Sequence, residues 1–312
     1  MPATAEKLTG RSSFEVEFGH ETADIVRAGG RTILRLPVSC LWGEPNEALF
    51  PGARAAGEAH GFHLLEAGEL LVGCSVRPVD GAHERAAREL YRGLLAACDG
   101  RPLCRIWNYV PAINEASGGL ENYRAFCAGR SLAFEAAHGA GFRRTLPAAS
   151  AVGCRGDSMA AIFVACRAAP RHVENPEQVS AYEYPPEHGV RPPSFSRATL
   201  ASDAGRPLAF VSGTAAIKGH STVAPDSLSG QLECTFDNLR LISRASGLGE
   251  SLDARPWSAR FFKVYVRHAG DLPSVRARMD RDLARPGDHI IYLRAELCRA
   301  PLKVEIEATL LG

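Results

Sequence analysis

The chain has no HExxH pair, no GxSxG elbow and no Walker A loop, so the common signatures of zinc hydrolases, serine hydrolases and phosphate-cradling enzymes are missing. The segment GLGESL at Gly247 lacks the third glycine and the preceding strand of a dinucleotide fingerprint. None of the nine cysteines belongs to a CxxC pair, which removes the usual redox and zinc patterns and leaves them to read as reduced, buried small hydrophobes. The longest apolar run, Met159 to Cys166, is far too short for a bilayer, and the opening MPATAEKLTGRSS has no apolar signal-peptide core, so a cytoplasmic protein without a membrane partner is expected. Charge of one sign is lacking as well. Lys and Arg total 36 against 35 Asp and Glu, scattered rather than striped, and nucleic acid is excluded as a partner on that ground.

What is present is ordinary globular content: 312 residues, 46% of them hydrophobic and 23% charged, enough for two domains. Residues 82–99 place apolar groups at helical spacing and stop at Gly100, LCRIWNYV reads as a strand, and LENYRAFCAGRSLAFEAAH reads as a helix ending at Gly139. The second half repeats that order with SLSGQLECTFDNLRLISRAS, RFFKVYV and DLPSVRARMDRDLAR, the last with Asp271 as N-cap and Pro273 in its first turn. HIIYLRAELC and LKVEIEATLL are expected to close the chain as two strands joined by a tight hairpin around Arg299 to Pro301. Earlier strands are expected at 62–65, 70–76, 160–166 and 208–212. Between the halves, ENPEQVSAYEYPPEHGVRPPSFSRATL is rich in Pro and aromatics and too long for an idle connection. It reads either as a surface excursion or as a pocket wall presenting Tyr182, Tyr184, Phe195 and Arg197.

Two stretches could carry chemistry. SGTAAIKGH, from Ser212 to His220, ends a strand with groups able to face an anion, although an ordinary tight turn would look the same. LKVEIEA alternates apolar and acidic residues as a half-buried strand does, so Glu305 and Glu307 share one face. That face is either solvated or the acidic wall of a cleft, and the physics of the sequence does not separate the two glutamates.

IWNYVPAINE, GLENYRAFCAGR, GCRGD, APRHVENPEQVSAY, PPSFSRAT, FVSGTAAIKGH, KVYVRH and LCRAPLKVEIEA, taken together and in order from Trp107 to the C-terminus, resemble the chorismatases, enzymes that remove pyruvate from chorismate. The resemblance implies an α/β (α+β) fold of two related YjgF/RidA-like domains, residues 1–148 and 149–312, with mixed sheets, helices on one face of each, and most of the active site in the second. It implies chorismate as the small-molecule substrate, no cofactor and no metal. By motif position it makes Glu305 the proton donor and Cys298 the residue that assists ring opening, the two meeting across the turn at Pro301. Arg130, Arg197 and Arg294 are the candidates for the substrate carboxylates, since a guanidinium pairs bidentately with a carboxylate. Tyr123, Tyr182, Thr214 and Ala216 complete the expected binding set. The cysteine points to 3-hydroxybenzoate, with 4-hydroxybenzoate as a further product of one sub-branch. An alanine in the SGTA loop, read at Ala216, points instead to the hydrolytic branch and its dihydroxycyclohexadienoate. A non-catalytic metabolite-binding protein on the same scaffold, and either a homo-oligomer such as a trimer or a monomer, remain open.

Overall fold

The computed structural model describes residues 14–312. An N-terminal set of strands, β1 (Phe14–Phe18), β2 (Asp24–Ala28) and β3 (Arg31–Leu36), forms a small sheet with Asn46–Glu47, and β4 (Ser39–Trp42) leaves it for another. The main body then follows as β5 (Arg54–Ala59), β6 (Phe62–Ala67), β7 (Leu70–Pro78), α1 (His83–Ala97), β8 (Leu103–Pro111), α2 (Asn122–His138), β9 (Ala148–Cys154) and β10 (Ser158–Ala165). It repeats as β11 (Arg171–Val173), β12 (Ala198–Asp203), β13 (Arg206–Thr214), α3 (Leu228–Ser246), β14 (Ala259–Val266), α4 (Leu272–Asp282), β15 (His289–Arg294) and β16 (Val304–Leu311).

The first large sheet has the order β9-β8-β10-β7-β6-β5 and the second β15-β14-β16-β13-β12-β11, with β4 added beyond β15. β8 and β9 are parallel, as are β14 and β15, while β10 and β16 run antiparallel to both neighbours. One topology therefore occurs twice, as mixed sheets with two helices each. The sequence places the first unit's end at residue 148, but that cut would separate β9 and β10 from β8. Their ladder bonds move the division past Ala165.

The core lies in three layers. α1 packs on the first sheet through Ala87, Leu90, Tyr91 and Leu94, the 3.6-period face of its sequence. Against it, α2 comes so close that a Cβ at Gly129 would overlap the Glu84 carbonyl. α3 and α4 cover the second sheet through Phe236, Leu239, Val275 and Met279. The inner faces meet between the sheets, where Cys74, Trp107, Ile162, Phe210 and Tyr265 share one cluster.

Three local expectations change. Asp271 sits at the N-cap of α4 but its side chain caps nothing, because it follows a 3-10 turn and already has helical backbone angles. The closing strands form no hairpin: β14 lies between β15 and β16, and residues 295–303 cross over it. The carboxylate face of β16 is not wet either, since it looks into the space between the sheets, leaving Glu305 3% and Glu307 2% exposed. All nine cysteines are free thiols, and among the described residues no helix is long and apolar enough to cross a membrane.

Candidate active site

Glu307 is fully engaged. Its Oε2 accepts from Arg105 Nη2 at 2.7 Å, its Oε1 from Trp107 Nε1 at 2.7 Å, and Lys263 Nζ lies 3.2 Å from Oε1. Burial alone would raise its pKa, but Arg105 and then Lys263 outweigh it and hold the carboxyl below the ordinary value. Lys263 also pairs with Glu47 at 2.5 Å. Glu307 thus ties β16 to the first sheet as a permanent anion.

Glu305, two residues earlier on the same face, has none of this. Its one hydrogen-bonding contact among the described residues is a long approach from Cys298 Sγ to Oε2 at 4.0 Å. Burial first, and the charge of Glu307 second, push its pKa up to about 8 against the weaker pull of Arg105, Arg197 and Arg267. At neutral pH it is a buried, protonated acid. The backbone of β13 is shaped to it: a Cβ at Gly213 would overlap Glu305 Oε1, so only glycine leaves room for the carboxyl.

Glu305 opens into a cleft of about 400 Å³, within the range of ~300–1,000 Å³ typical of small-molecule sites. α2 contributes Tyr123 and Arg124, β13 and the residue just past its end bring Gly213 and Ala215, and the crossover supplies Cys298 and Arg299. From the Pro-rich segment come Tyr184, His188, Phe195 and Arg197, so that segment is a wall of the cleft. Arg197 is 7% exposed. Its Nη2 donates to Tyr184 Oη at 2.7 Å and its buried Nε has no hydrogen-bond partner. Arg299 Nη1 donates to the His220 carbonyl at 2.8 Å, and its guanidinium lies 5.3 Å from the Tyr184 ring centre. Burial and the neighbouring Glu305 push the Cys298 thiol up to about 12, so the sulfur stays protonated. Its loop is gathered by Arg267, which donates to the carbonyls of Leu302 at 2.6 Å and Arg299 at 3.0 Å and pairs with Glu296.

The structure therefore brings together Glu305, Cys298, Arg197 and Tyr123 of the expected set. Arg130 stands behind the cleft, two turns along α2 from Tyr123. It is buried over the rings of Phe126 and Tyr91, with Nε and Nη2 unpartnered. The others are elsewhere. Arg294 is exposed on β15 beside Ser39, on the far side of β14 from β16. Tyr182 packs against the first unit's helical core. Thr214 Oγ1 donates to the Ser212 carbonyl at 2.9 Å, and Ala216 is wholly buried while Gly213 and Ala215 line the cleft. Arg299 and Arg124 were not singled out in the sequence. No signal marks Arg124, whereas Arg299 adjoins Cys298 in LCRAP.

A wider groove of about 1520 Å³ lies between the N-terminal strands and the edge of the second sheet, with Glu15, Glu44, Glu47, Asp203, Asp280 and Asp288 in its wall. Four of these acids are already paired, Glu15 with Arg31, Asp203 with Arg206, Asp288 with Arg260 and Glu47 with Lys263, and Glu305 and Cys298 are not part of the groove.

Residues 49–165 match the family described as chorismatase FkbO/Hyg5-like, N-terminal. The chain is 36% identical over 267 residues to a 3-hydroxybenzoate synthase of Streptomyces hygroscopicus, covering 82% of this chain and 78% of that one. To a chorismatase of Streptomyces rapamycinicus it is 36% identical over 269 residues, 82% of this chain and 79% of the other. A crystal structure of a chorismatase superposes with a TM-score of 0.83 at 27% identity, covering 98% of this chain and 96% of that one. An enzyme cleft with a buried neutral acid, a matched fold over nearly the whole length and relatives over four fifths of the sequence place this chain in the chorismatase family.

Proposed function

We propose that the cleft binds chorismate and that Glu305 protonates it to release pyruvate, leaving 3-hydroxybenzoate. The observation that carries this reading is a carboxyl kept protonated at neutral pH, 4.0 Å from a neutral thiol, in a cleft edged by arginines. Chorismate is a dianion whose enolpyruvyl ether needs one proton. The Glu305 proton goes to the ether's methylene carbon, the resulting oxocarbenium ion draws the electron pair of the ring C–O bond, and pyruvate leaves. The neighbouring ring hydroxyl oxygen bonds to the vacated carbon, and its proton returns to Glu305. Opening of that strained epoxide moves a C–O electron pair onto the oxygen, which takes a proton from the neutral Cys298 thiol, and the ring hydrogen leaves as a proton that restores the thiol, giving the phenol. The two products hold all the atoms of chorismate, so no water or oxidant is consumed.

Arg197 and Arg299 are assigned to one end of the dianion. Arg130 is assigned to the other by its motif position, although it stands behind the cleft wall with Nε and Nη2 free of hydrogen bonds. Changing Arg130 or Arg197 to Ala is expected to weaken binding of a dicarboxylate analogue more than it lowers thermal stability. The duplicated units are taken as two domains, the second supplying most of the site. The nine free thiols fit a reducing compartment and thus a cytoplasmic enzyme.

A second reading, hydrolysis to a dihydroxycyclohexadienoate, rests on the alanine read at Ala216, which is buried directly behind Ala215 of the cleft wall. Incubation with chorismate decides between them. Pyruvate with an aromatic product supports the first reading, pyruvate with a non-aromatic diene the second, and no consumption of chorismate removes both.

A further inference from the structure

At the mouth of the cleft, His188 Nε2, His220 Nδ1 and Glu187 Oε1 form a small triangle. The two nitrogens are 3.0 Å apart, and the same carboxylate oxygen lies 3.4 Å from each. Glu187 and His188 come from a single 3-10 turn, Pro186–His188, in the Pro-rich segment. His220 follows Gly219, whose φ of 55° makes the tight turn between Ile217–Lys218 and Ser221–Thr222. The cluster is therefore built from two separate loops. Both belong to the rim, since His188, Ser221 and Thr222 line the cleft.

Hydrogen bonding alone does not account for the triangle. One N–H···N bond satisfies the imidazole pair at 3.0 Å, but a charge-assisted N–H···O bond would draw the carboxylate in to about 2.7–2.9 Å. A single oxygen equidistant from both nitrogens, and too far from each, is what a shared atom at the centre would produce. Ligands at ~2.0–2.1 Å around a tetrahedral zinc ion are separated by about 3.3–3.4 Å, and two His with one carboxylate, leaving a fourth position open, is a recurring zinc set. The observed edges of 3.0, 3.4 and 3.4 Å form such a face.

We propose that Glu187, His188 and His220 bind a zinc-type divalent cation, which fastens the Pro-rich segment to the 219–220 turn at the entrance of the cleft. The ion is not asked to take part in the proton chemistry at Glu305, and the site stands whether or not chorismate is the substrate. The surroundings enclose the cluster on one side. Tyr184 walls the cluster, its ring centre 5.2 Å from that of His188 and 6.4 Å from that of His220. Arg299 and Arg124 oppose a cation here, and the Glu187 carboxylate, two-thirds exposed, offsets one of these two charges.

The test uses the full chain stripped with a chelator and titrated with zinc chloride against a chromogenic zinc indicator, followed by cobalt substitution. One equivalent is expected to bind at micromolar concentration or tighter, with the intense visible bands of four-coordinate cobalt. Affinity should fall by at least about tenfold in both Glu187→Gln and His220→Ala. Because Glu187 is largely exposed, its variant retains the fold and keeps the test valid if His220→Ala does not. Absence of saturable one-to-one uptake overturns the proposal. So does uptake unchanged in Glu187→Gln, which would assign the metal to the protein's free thiols.

Discussion

β10 and β16 occupy the same place in sheets of the same topology, and on their helix-facing sides they are alike, with Ala161 and Phe163 in one and Val304, Ile306 and Ala308 in the other. Their inner faces differ completely. β10 presents Ala160, Ile162 and Val164 to the space between the sheets, where β16 presents Glu305 and Glu307. A duplicated scaffold has kept the packing that each unit needs and has diverged on the face where the units meet, which is where a cleft can be walled by both. Within β16 the contrast sharpens. Two carboxyls about 6.6 Å apart along one strand have opposite protonation states, because Arg105, Trp107 and Lys263 reach only Glu307.

The contrast breaks most sharply at Glu305. In Glu305→Gln the side chain keeps its shape but cannot donate, and pyruvate release should fall roughly 10²- to 10⁴-fold with the circular dichroism spectrum unchanged. The same variant carries a stability signature. A carboxyl whose folded pKa is raised from 4.5 to about 8 gives stability that is full below pH 4.5 and is lost as pH rises through 8. Glu305→Gln should therefore be the more stable protein at pH 8 and above, with the advantage shrinking toward pH 5. Denaturant melts at three pH values read this directly, and an advantage that grows as pH falls would mean that Glu305 is ionised in the fold.

Glu307→Gln should do the reverse, damaging the fold before the chemistry. Arg105 has Ser150 as its other hydrogen-bond partner, and Lys263 keeps only Glu47. Removing one member of a buried ion network costs about 3–5 kcal/mol, to be measured as a lowered urea midpoint. A stable Glu307→Gln protein without activity would exchange the roles of the two glutamates.

The elements with strong periodicity were legible in the sequence. The faces of α1 and α3, the buried runs of β7, β8 and β10 and the repeat of helix, strand and helix all follow from local patterns. Partner choice was not legible, because ladder bonds depend on residues far apart in the chain. LKVEIEA looks half-exposed only when the sheet that covers its acidic face is out of view, and the closing hairpin fails because β14 takes the place between the last two strands. The site shows the same limit. Cys298 and Glu305 do meet, yet they do so through a crossover held by Arg267 rather than from paired strands. Arg299 adjoins Cys298 in the sequence, but its place in the cleft comes from where that crossover leaves it.

The pH profile sharpens the comparison further. If Glu305 is the acid, kcat/KM should decline above about pH 8 by about tenfold per unit, as the donor loses its proton. Arg197 pulls the Glu305 pKa down, so in Arg197→Gln the descending limb should move to higher pH even though activity is lower overall. A limb that stays in place would place the titrating group elsewhere.

The smallest effect on rate, and the most informative on outcome, is expected at Cys298. Its thiol is neutral and 4.0 Å from Glu305 Oε2, so it lies next to the acid without supplying the proton that releases pyruvate. Cys298→Ala removes a donor from the edge of the cleft and leaves room for water beside the activated ring. Pyruvate release should continue, slowed by less than in Glu305→Gln, while the products shift from 3-hydroxybenzoate toward the non-aromatic diol or 4-hydroxybenzoate. Because only the second sheet carries this loop against an acid, the product ratio, read by chromatography and ultraviolet spectrum, tests whether the divergence of the two units extends from proton donation to the fate of the ring. A Cys298→Ala enzyme with the parent's ratio at the parent's rate would confine that divergence to the two glutamates.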